Sequence, residues 1–173
     1  DDSATPREES YREDVATASA TQRPKEEIYR NLRAAAESGW DFSSRWLADG
    51  KTLASIHTVD LIPVDLNSVL YQLEQTLASA YETTSPARAE EFRARAAARR
   101  AAIHRYLWNP DASAFTDYLW REGRPAAQIT AATVVPLFFG LASQEQAKAV
   151  AATVNAQLLK AHGLVTTANT SGQ

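Results

Sequence analysis

Apolar positions recur along this chain at helical spacing and are interrupted at regular intervals by glycine, proline or a capping residue. From Pro24, which suits a first helical turn, Glu26 and Glu27 lie near the positive end of a helix, and Ile28, Leu32 and Ala35 or Ala36 share one face. Gly39 stops that pattern. Pro63 opens a second helix whose buried stripe is expected at Leu66, Val69, Leu70, Leu73 and Leu77, running to about Tyr81, with Asp65 in its first turn. Ser85-Pro86 caps a third helix, with Ala89, Phe92, Ala96, Ala97, Ile103 and Leu107 on its apolar face, extending to about Tyr106. So short a link makes these two an antiparallel hairpin. Thr130 caps a fourth helix through Val134, Val135, Leu137, Phe138 and Leu141, and Ser143 with Gln146 forms a capping box for a fifth carrying Ala147, Val150, Ala151, Val154 and Leu158, ended by Gly163.

Between these helices the period fails. Residues 1–22 are polar, crowd Arg7, Glu8, Glu9, Arg12, Glu13 and Asp14 into one span, and read as a looped or extended, charge-balanced segment. Residues 53–62 read as irregular or short extended structure. Asn109-Pro110-Asp111 signals a turn, and the aromatic run Phe115 to Trp120 reads as a short strand or hairpin. Leu164 to Gln173 reads as an extended tail. With no βαβ alternation the class is mainly α, and periodicity alone leaves a bundle, a helical repeat and a closed ring of hairpins all open.

Composition narrows function by exclusion. The 173 residues carry a net charge of −3, with basic residues dispersed, which gives no electrostatic reason for a nucleic acid partner. No apolar run is long enough to span a bilayer, and no membrane partner is expected. The absence of Cys removes thiolate chemistry, and the absence of Met implies that the gene product has residues this sequence lacks. His57, His104 and His162 are far apart and form no ligand pair, so no metal or other cofactor is expected. The glycines are isolated, which argues against a phosphate loop, and there is no Gly-x-Ser-x-Gly elbow.

What remains is carboxylates among aromatics and arginines, the groups that glycoside chemistry uses. Asp41, between Trp40 and Phe42 with Trp46 close by, is the leading general acid, because aromatic burial raises a carboxyl pKa. A helix N-cap is the competing reading of the same residue. Asp60 and Asp65 are rivals, and Asp65 suits a helix start better.

The stretch Glu37-Ser38-Gly39-Trp40-Asp41-Phe42-Ser43-Ser44-Arg45-Trp46 resembles the segment that carries the general acid in bacterial α,α-trehalases. Pro6-Arg7-Glu8-Glu9-Ser10-Tyr11-Arg12-Glu13-Asp14-Val15, Ile62-Pro63-Val64-Asp65-Leu66-Asn67 and Arg105-Tyr106-Leu107-Trp108 extend the resemblance over essentially the whole chain. It implies an (α/α)6 toroid of six helical hairpins and metal-free, inverting hydrolysis of trehalose to two glucose molecules. On matching positions it implies that Asp41 protonates the glycosidic oxygen, that Arg7, Glu8 and Glu9 sit at the sugar, and that Gly39 lines the pocket through its backbone. Glu8 stands where the family usually has proline. The family's glycine-rich signature, its Gln-Trp-Asp-x-Pro signature, of which Gln173 matches the first residue, and its catalytic glutamate base fall outside the sequence.

These 173 residues are therefore expected to form one partial catalytic domain, the central part of an incomplete toroid. Its exposed apolar faces are expected to take the remaining trehalase segments, or another copy, as partner, and trehalose is the expected ligand. The periplasm is the expected compartment, with the cytoplasm as alternative. A noncatalytic helical scaffold or sugar-binding fragment, and a glucoamylase-like hydrolase, are the competing functional readings.

Overall fold

In a computed structural model that describes residues 3–169, the chain is mainly helical and divides into two compact units. The first holds the described residues up to Leu61 together with Asn169, and the second holds Ile62–Ala168.

The first unit opens with a helix that periodicity did not reveal, α1 (Tyr11–Ser19). It buries only Asp14 and Ala18, so it has no apolar stripe to read, and Glu13 and Asp14 in its first turn complement its dipole. Helix α2 (Lys25–Glu37) lies where expected, with Pro24 as its N-cap residue rather than inside its first turn. Ile28, Leu32 and Ala35 are its buried apolar face, joined by Tyr29 and Asn31. The helix ends at Glu37, and Gly39 takes a left-handed φ of +75° just beyond the cap, the conformation that favours glycine there. After it come three single 3-10 turns, Ser44–Trp46, Leu53–Ser55 and Thr58–Asp60.

These turns are pinned to α2 by polar side chains. The Arg23 guanidinium donates to the carbonyls of Ala54 (3.2 Å) and Ile56 (2.7 Å), and the Val59 amide donates to the Asn31 side-chain oxygen at 2.9 Å. Between the turns, Asp49 accepts from the amides of Lys51 and Thr52 and from the hydroxyls of Thr52 and Ser55. Those bonds, led by the Thr52 hydroxyl, hold its carboxyl far below the usual carboxylate range.

The second unit begins with the hairpin of α3 (Val64–Tyr81) and α4 (Pro86–Ala102). Its packing corrects the sequence expectation. Leu66, Val69 and Leu73 are 52%, 49% and 50% exposed, while the buried positions of α3 are Val64, Ser68, Tyr71, Glu74 and Ala78. The face that packs mixes small residues, Ser68 and Ala78 on α3 and Ala89 and Ala96 on α4, with Val64, Tyr71 and the charged Glu74, which needs a partner on α4. Arg99 of α4 grips Glu74 at two points, 2.8 and 2.9 Å, and reaches the Asn67 oxygen at 3.0 Å. Tyr81 and Phe92 stack near the link between the two helices.

Helix α4 stops four residues short of Tyr106, and Ile103–Leu107 forms a wider π turn that buries Ile103 and Leu107. Two antiparallel hairpins follow where one strand or hairpin was expected: Trp108–Asn109 with Ala114–Phe115, and Tyr118–Leu119 with Arg124–Pro125. From them Asp117 reaches back and accepts the Val64 amide at 2.9 Å, capping the start of α3.

The expected fourth helix shortens to a 3-10 turn, Ala131–Val134, and one α turn, α5 (Val135–Phe138). Pro136 brings no N–H to that turn, and Gly140 closes it at a φ of +66°. Helix α6 (Gln144–Gln157) carries the expected capping box: the Gln146 amide donates to the Ser143 hydroxyl (3.2 Å), and the Ser143 amide donates to the Gln146 side chain (3.0 Å). It ends before Gly163, because Leu159–Lys160 and Gly163–Leu164 pair as a hairpin. Leu158, Ile129 and Ala114 are buried together, and Thr167 bridges back to Thr130. Of the expected tail, residues 170–173, including Gln173, lie outside the described residues.

No helix among the described residues is long and apolar enough to cross a membrane. Replacing Ser143 by alanine removes one half of the capping box and is expected to cost about 1 kcal/mol, read as a lower midpoint in urea unfolding with an unchanged slope.

Candidate active site

The expected site residues on the first unit come from two segments, 7–9 before α1 and 39–41 after α2. Arg33 of α2 fastens the first segment. It donates to the backbone oxygens of Thr5 (2.8 Å) and Pro6 (2.7 Å) and pairs with the Glu8 carboxylate at 3.1 Å. Glu8 is thus engaged from α2 and otherwise exposed, and its own backbone amide and then Arg33 hold it below the usual carboxylate range.

Arg7 is buried and held by Asp14. The Asp14 carboxylate accepts the Arg7 amide at 2.8 Å, Nε at 3.1 Å and Nη2 at 2.7 Å. The Phe42 ring lies against the same guanidinium, 4.8 Å from its carbon to the ring centroid. The bond to Asp14 raises the proton affinity of Arg7 above the ordinary arginine value; burial opposes the rise, and the charges of Asp14, Glu9 and Asp41 add to it. Glu9 and Asp41, from different segments, are therefore both within electrostatic reach of one cation.

The segment carrying Asp41 is built on a second buried arginine. Arg45, 4% exposed, lies between the rings of Trp40 (4.7 Å) and Trp46 (4.5 Å). Trp46 is fully buried, and its Nε1 donates to the Trp40 carbonyl at 3.0 Å. The Ser43 amide donates to that same carbonyl at 2.8 Å, so the backbone on either side of Asp41 is fixed from below. The Ser43 hydroxyl accepts the Arg45 amide, and the His57 amide donates to the Trp46 carbonyl.

Two sequence expectations change here. Trp40 and Phe42 do not shield Asp41, which is exposed; each ring is instead engaged by a guanidinium, Arg45 and Arg7 respectively. Nor is Asp41 a helix N-cap, since the 3-10 turn after it is capped by Ser43. Gly39 is exposed, and a Cβ there would meet nothing within 4 Å, so its φ rather than crowding accounts for glycine.

Of the rivals, Asp60 ends the turn Thr58–Asp60, and Asp65 occupies the first turn of α3 in the other unit, its carboxylate accepting the Leu66 amide. His57 precedes the turn Thr58–Asp60, His104 sits edge-on to Phe115, and His162 is exposed in the last hairpin. Among the described residues no three histidine or acidic side chains are placed to hold a metal ion.

Sequence reasoning missed Asp14, Arg33 and Arg45 as parts of this architecture. Arg45 carried a signal, an arginine within reach of two tryptophans in one short motif. Asp14 carried none, because its contact with Arg7 follows no helical or strand spacing.

The first unit thus gathers a buried guanidinium, an aromatic face and two exposed carboxylates from segments on either side of its helices. The trehalase family model matches residues 1–173, and the chain belongs to the trehalase family. It is 53% identical over 175 residues to the periplasmic trehalase of Pseudomonas aeruginosa, covering 100% of this chain and 32% of that protein. With the periplasmic trehalase of Xanthomonas campestris pv. campestris it shares 49% over 174 residues, covering 100% of this chain and 30% of that one. The neutral trehalase Nth1 from Saccharomyces cerevisiae has a similar fold, with a TM-score of 0.69 at 23% identity over 92% of this chain and 29% of its own. The mainly α, helical-hairpin class is thus that of a portion of a trehalase, and the chain spans about a third of the length of the curated relatives it matches.

Truncating Arg45 to alanine opens a cavity between two indoles and is expected to cost at least about 2 kcal/mol of stability. Lysine at that position is not expected to restore the loss, since its ammonium cannot stack as a planar guanidinium does. Chemical unfolding followed by tryptophan fluorescence reads both outcomes.

Proposed function

We propose that this chain is the acid-bearing part of the catalytic domain of an α,α-trehalase that works in the periplasm. The observation that carries the reading is that Asp41, from the segment after α2, lies within electrostatic reach of Arg7, in the segment before α1 that also carries Glu9, in a chain that belongs to the trehalase family along its whole length.

In this reading Asp41 donates its proton to the oxygen that joins the two glucose units, so that one glucose leaves as a neutral alcohol. Water, activated by a second carboxylate on the opposite face, attacks the other anomeric carbon and inverts it. Inversion needs the two carboxylates roughly 6.5–9.5 Å apart, with the water between them. That base is contributed by polypeptide beyond these 173 residues. Arg7 and Glu9 hold sugar hydroxyls, the Gly39 backbone borders the same pocket, and Glu8, tied to Arg33, sets the shape of the segment between them. Exposure of Asp41 fits a group that must reach a ligand, and the remaining enzyme segments are what remove it from water during turnover.

The same reading gives the uncovered α3 stripe an occupant. Leu66, Val69 and Leu73 present an apolar row too long to be accidental on a helix otherwise well packed, and further trehalase segments are its natural cover.

Purified alone, the 173 residues are expected to show no trehalose turnover, whereas the full-length enzyme carrying this sequence is expected to lose at least ~100-fold in kcat on Asp41→Asn. Turnover by the isolated chain that disappears in Asp41→Asn would sink the assignment of the base to other segments. Trehalose binding by calorimetry, measured beside turnover, separates a catalytic part from a purely sugar-binding fragment, and maltose tested in parallel checks the choice of substrate. Light scattering of the isolated chain should show self-association that rises with concentration and falls in a Leu66→Ser, Leu73→Ser variant. A monodisperse wild-type monomer at high concentration counts against the covered stripe.

A further inference from the structure

A guanidinium that is to orient a sugar hydroxyl must be fixed in plane as well as in place, and the groups around Arg7 do both. We propose that Asp14 is a positioning residue of this site: it locks the Arg7 guanidinium so that Nη1 is the nitrogen presented to the substrate. The proposal rests on the reading of Arg7 as a sugar-binding residue given above.

Three observations carry it. First, Asp14 takes two of the three guanidinium nitrogens, Nε at 3.1 Å and Nη2 at 2.7 Å, which removes rotation about the last side-chain bonds and leaves Nη1 outside the pair. Second, the same carboxylate accepts the backbone amide of Arg7 at 2.8 Å, so main chain and side chain are referred to one anchor, and that anchor is itself 1% exposed and fixed on α1, where its backbone amide donates to the Ser10 carbonyl. Third, the Phe42 ring, next in sequence to Asp41, lies against the guanidinium at 4.8 Å and fixes its plane relative to the segment that carries the acid. The charged groups within reach of Arg7 are Asp14, Glu9 and Asp41, and of these only Asp14 is buried and bonded to it.

An ion pair that served stability alone would not need to sit within electrostatic reach of two exposed carboxylates. Preorganisation of this kind acts on ligand binding, because a donor already fixed loses little freedom when a hydroxyl arrives. Glu9 and Asp41, both exposed, remain available to the ligand because the charge of Arg7 is already partly satisfied from behind.

In the full-length enzyme carrying this sequence, Asp14→Asn keeps the shape and removes the charge. It is expected to raise the KM for trehalose about tenfold or more, a loss typical of a hydrogen bond to a charged group, with kcat changed less than about threefold. Arg7→Lys cannot form the two-point pair, so Asp14→Asn made in that background is expected to add less than about twofold. A KM within twofold of the parent for Asp14→Asn, or effects of the two substitutions that multiply independently, overturns the proposal even if the melting temperature falls. If Asp14→Asn does not accumulate as folded protein, Asp14→Glu, which keeps the charge and moves it by one methylene, should raise KM several-fold, and an unchanged KM overturns the proposal equally. Calorimetric titration of trehalose into Asp41→Asn and into Asp14→Asn, Asp41→Asn reads Asp14 without turnover. Continued hydrolysis by Asp41→Asn would dismiss the acid assignment while leaving the comparison of affinities intact.

Discussion

A guanidinium packed between two indoles is the constraint on which the segment carrying Asp41 depends. Arg45 could not stay buried as a cation without compensation, and Trp40 and Trp46 supply part of it through their ring faces. The geometry has a backbone consequence. With Trp46 fully buried and its indole N–H on the Trp40 carbonyl, the two ends of the stretch from Trp40 to Trp46 are tied together, and Asp41 is carried outward on the bend between them. An exposed carboxylate is thus mounted on one of the most firmly buried points of its unit.

The pattern recurs around it: arginines act as fasteners for irregular backbone. Arg33 straps residues 5–8 onto α2, Arg23 receives the carbonyls of Ala54 and Ile56, and Arg7 closes the approach to α1 on Asp14. Each meets carbonyl or carboxylate oxygens that loops leave unpaired, a task suited to a fork of donors in fixed geometry. A unit made of two helices and single 3-10 turns has few backbone ladders of its own, and these side chains replace them. That is how loops become rigid enough to carry functional groups.

Local signals in the sequence translated well into structure where local physics governs. The Ser143–Gln146 box, the stop at Gly39 and the apolar face of α2 all depend on residues within one or two turns of each other. Legibility failed where partners are distant or unconventional. Helix α1 has no stripe because it buries only Ala18 and a carboxylate, Asp14, that serves Arg7. On α3 the leucine row is genuine amphipathic pattern, yet the face that packs in this unit mixes Ser68 and Ala78 with Val64, Tyr71 and the Glu74–Arg99 pair, and periodicity cannot tell which of two faces a given neighbour will take. The aromatic rings of the motif around Asp41 were expected to shield that carboxylate and instead serve arginines.

The cap on α3 bears on the order in which the chain can assemble. Its first amide, from Val64, is satisfied by Asp117, a residue that follows the whole α3–α4 hairpin and the first β-hairpin after it. During synthesis from the N-terminus, α3 therefore emerges with its leading turn unfinished, and that turn frays until the later segment folds back onto it. Closing so long a loop carries an entropic cost that contacts between neighbouring turns do not. The start of α3 should consequently be among the last parts of its unit to become protected against hydrogen exchange during refolding, although the middle of the same helix can form early against α4.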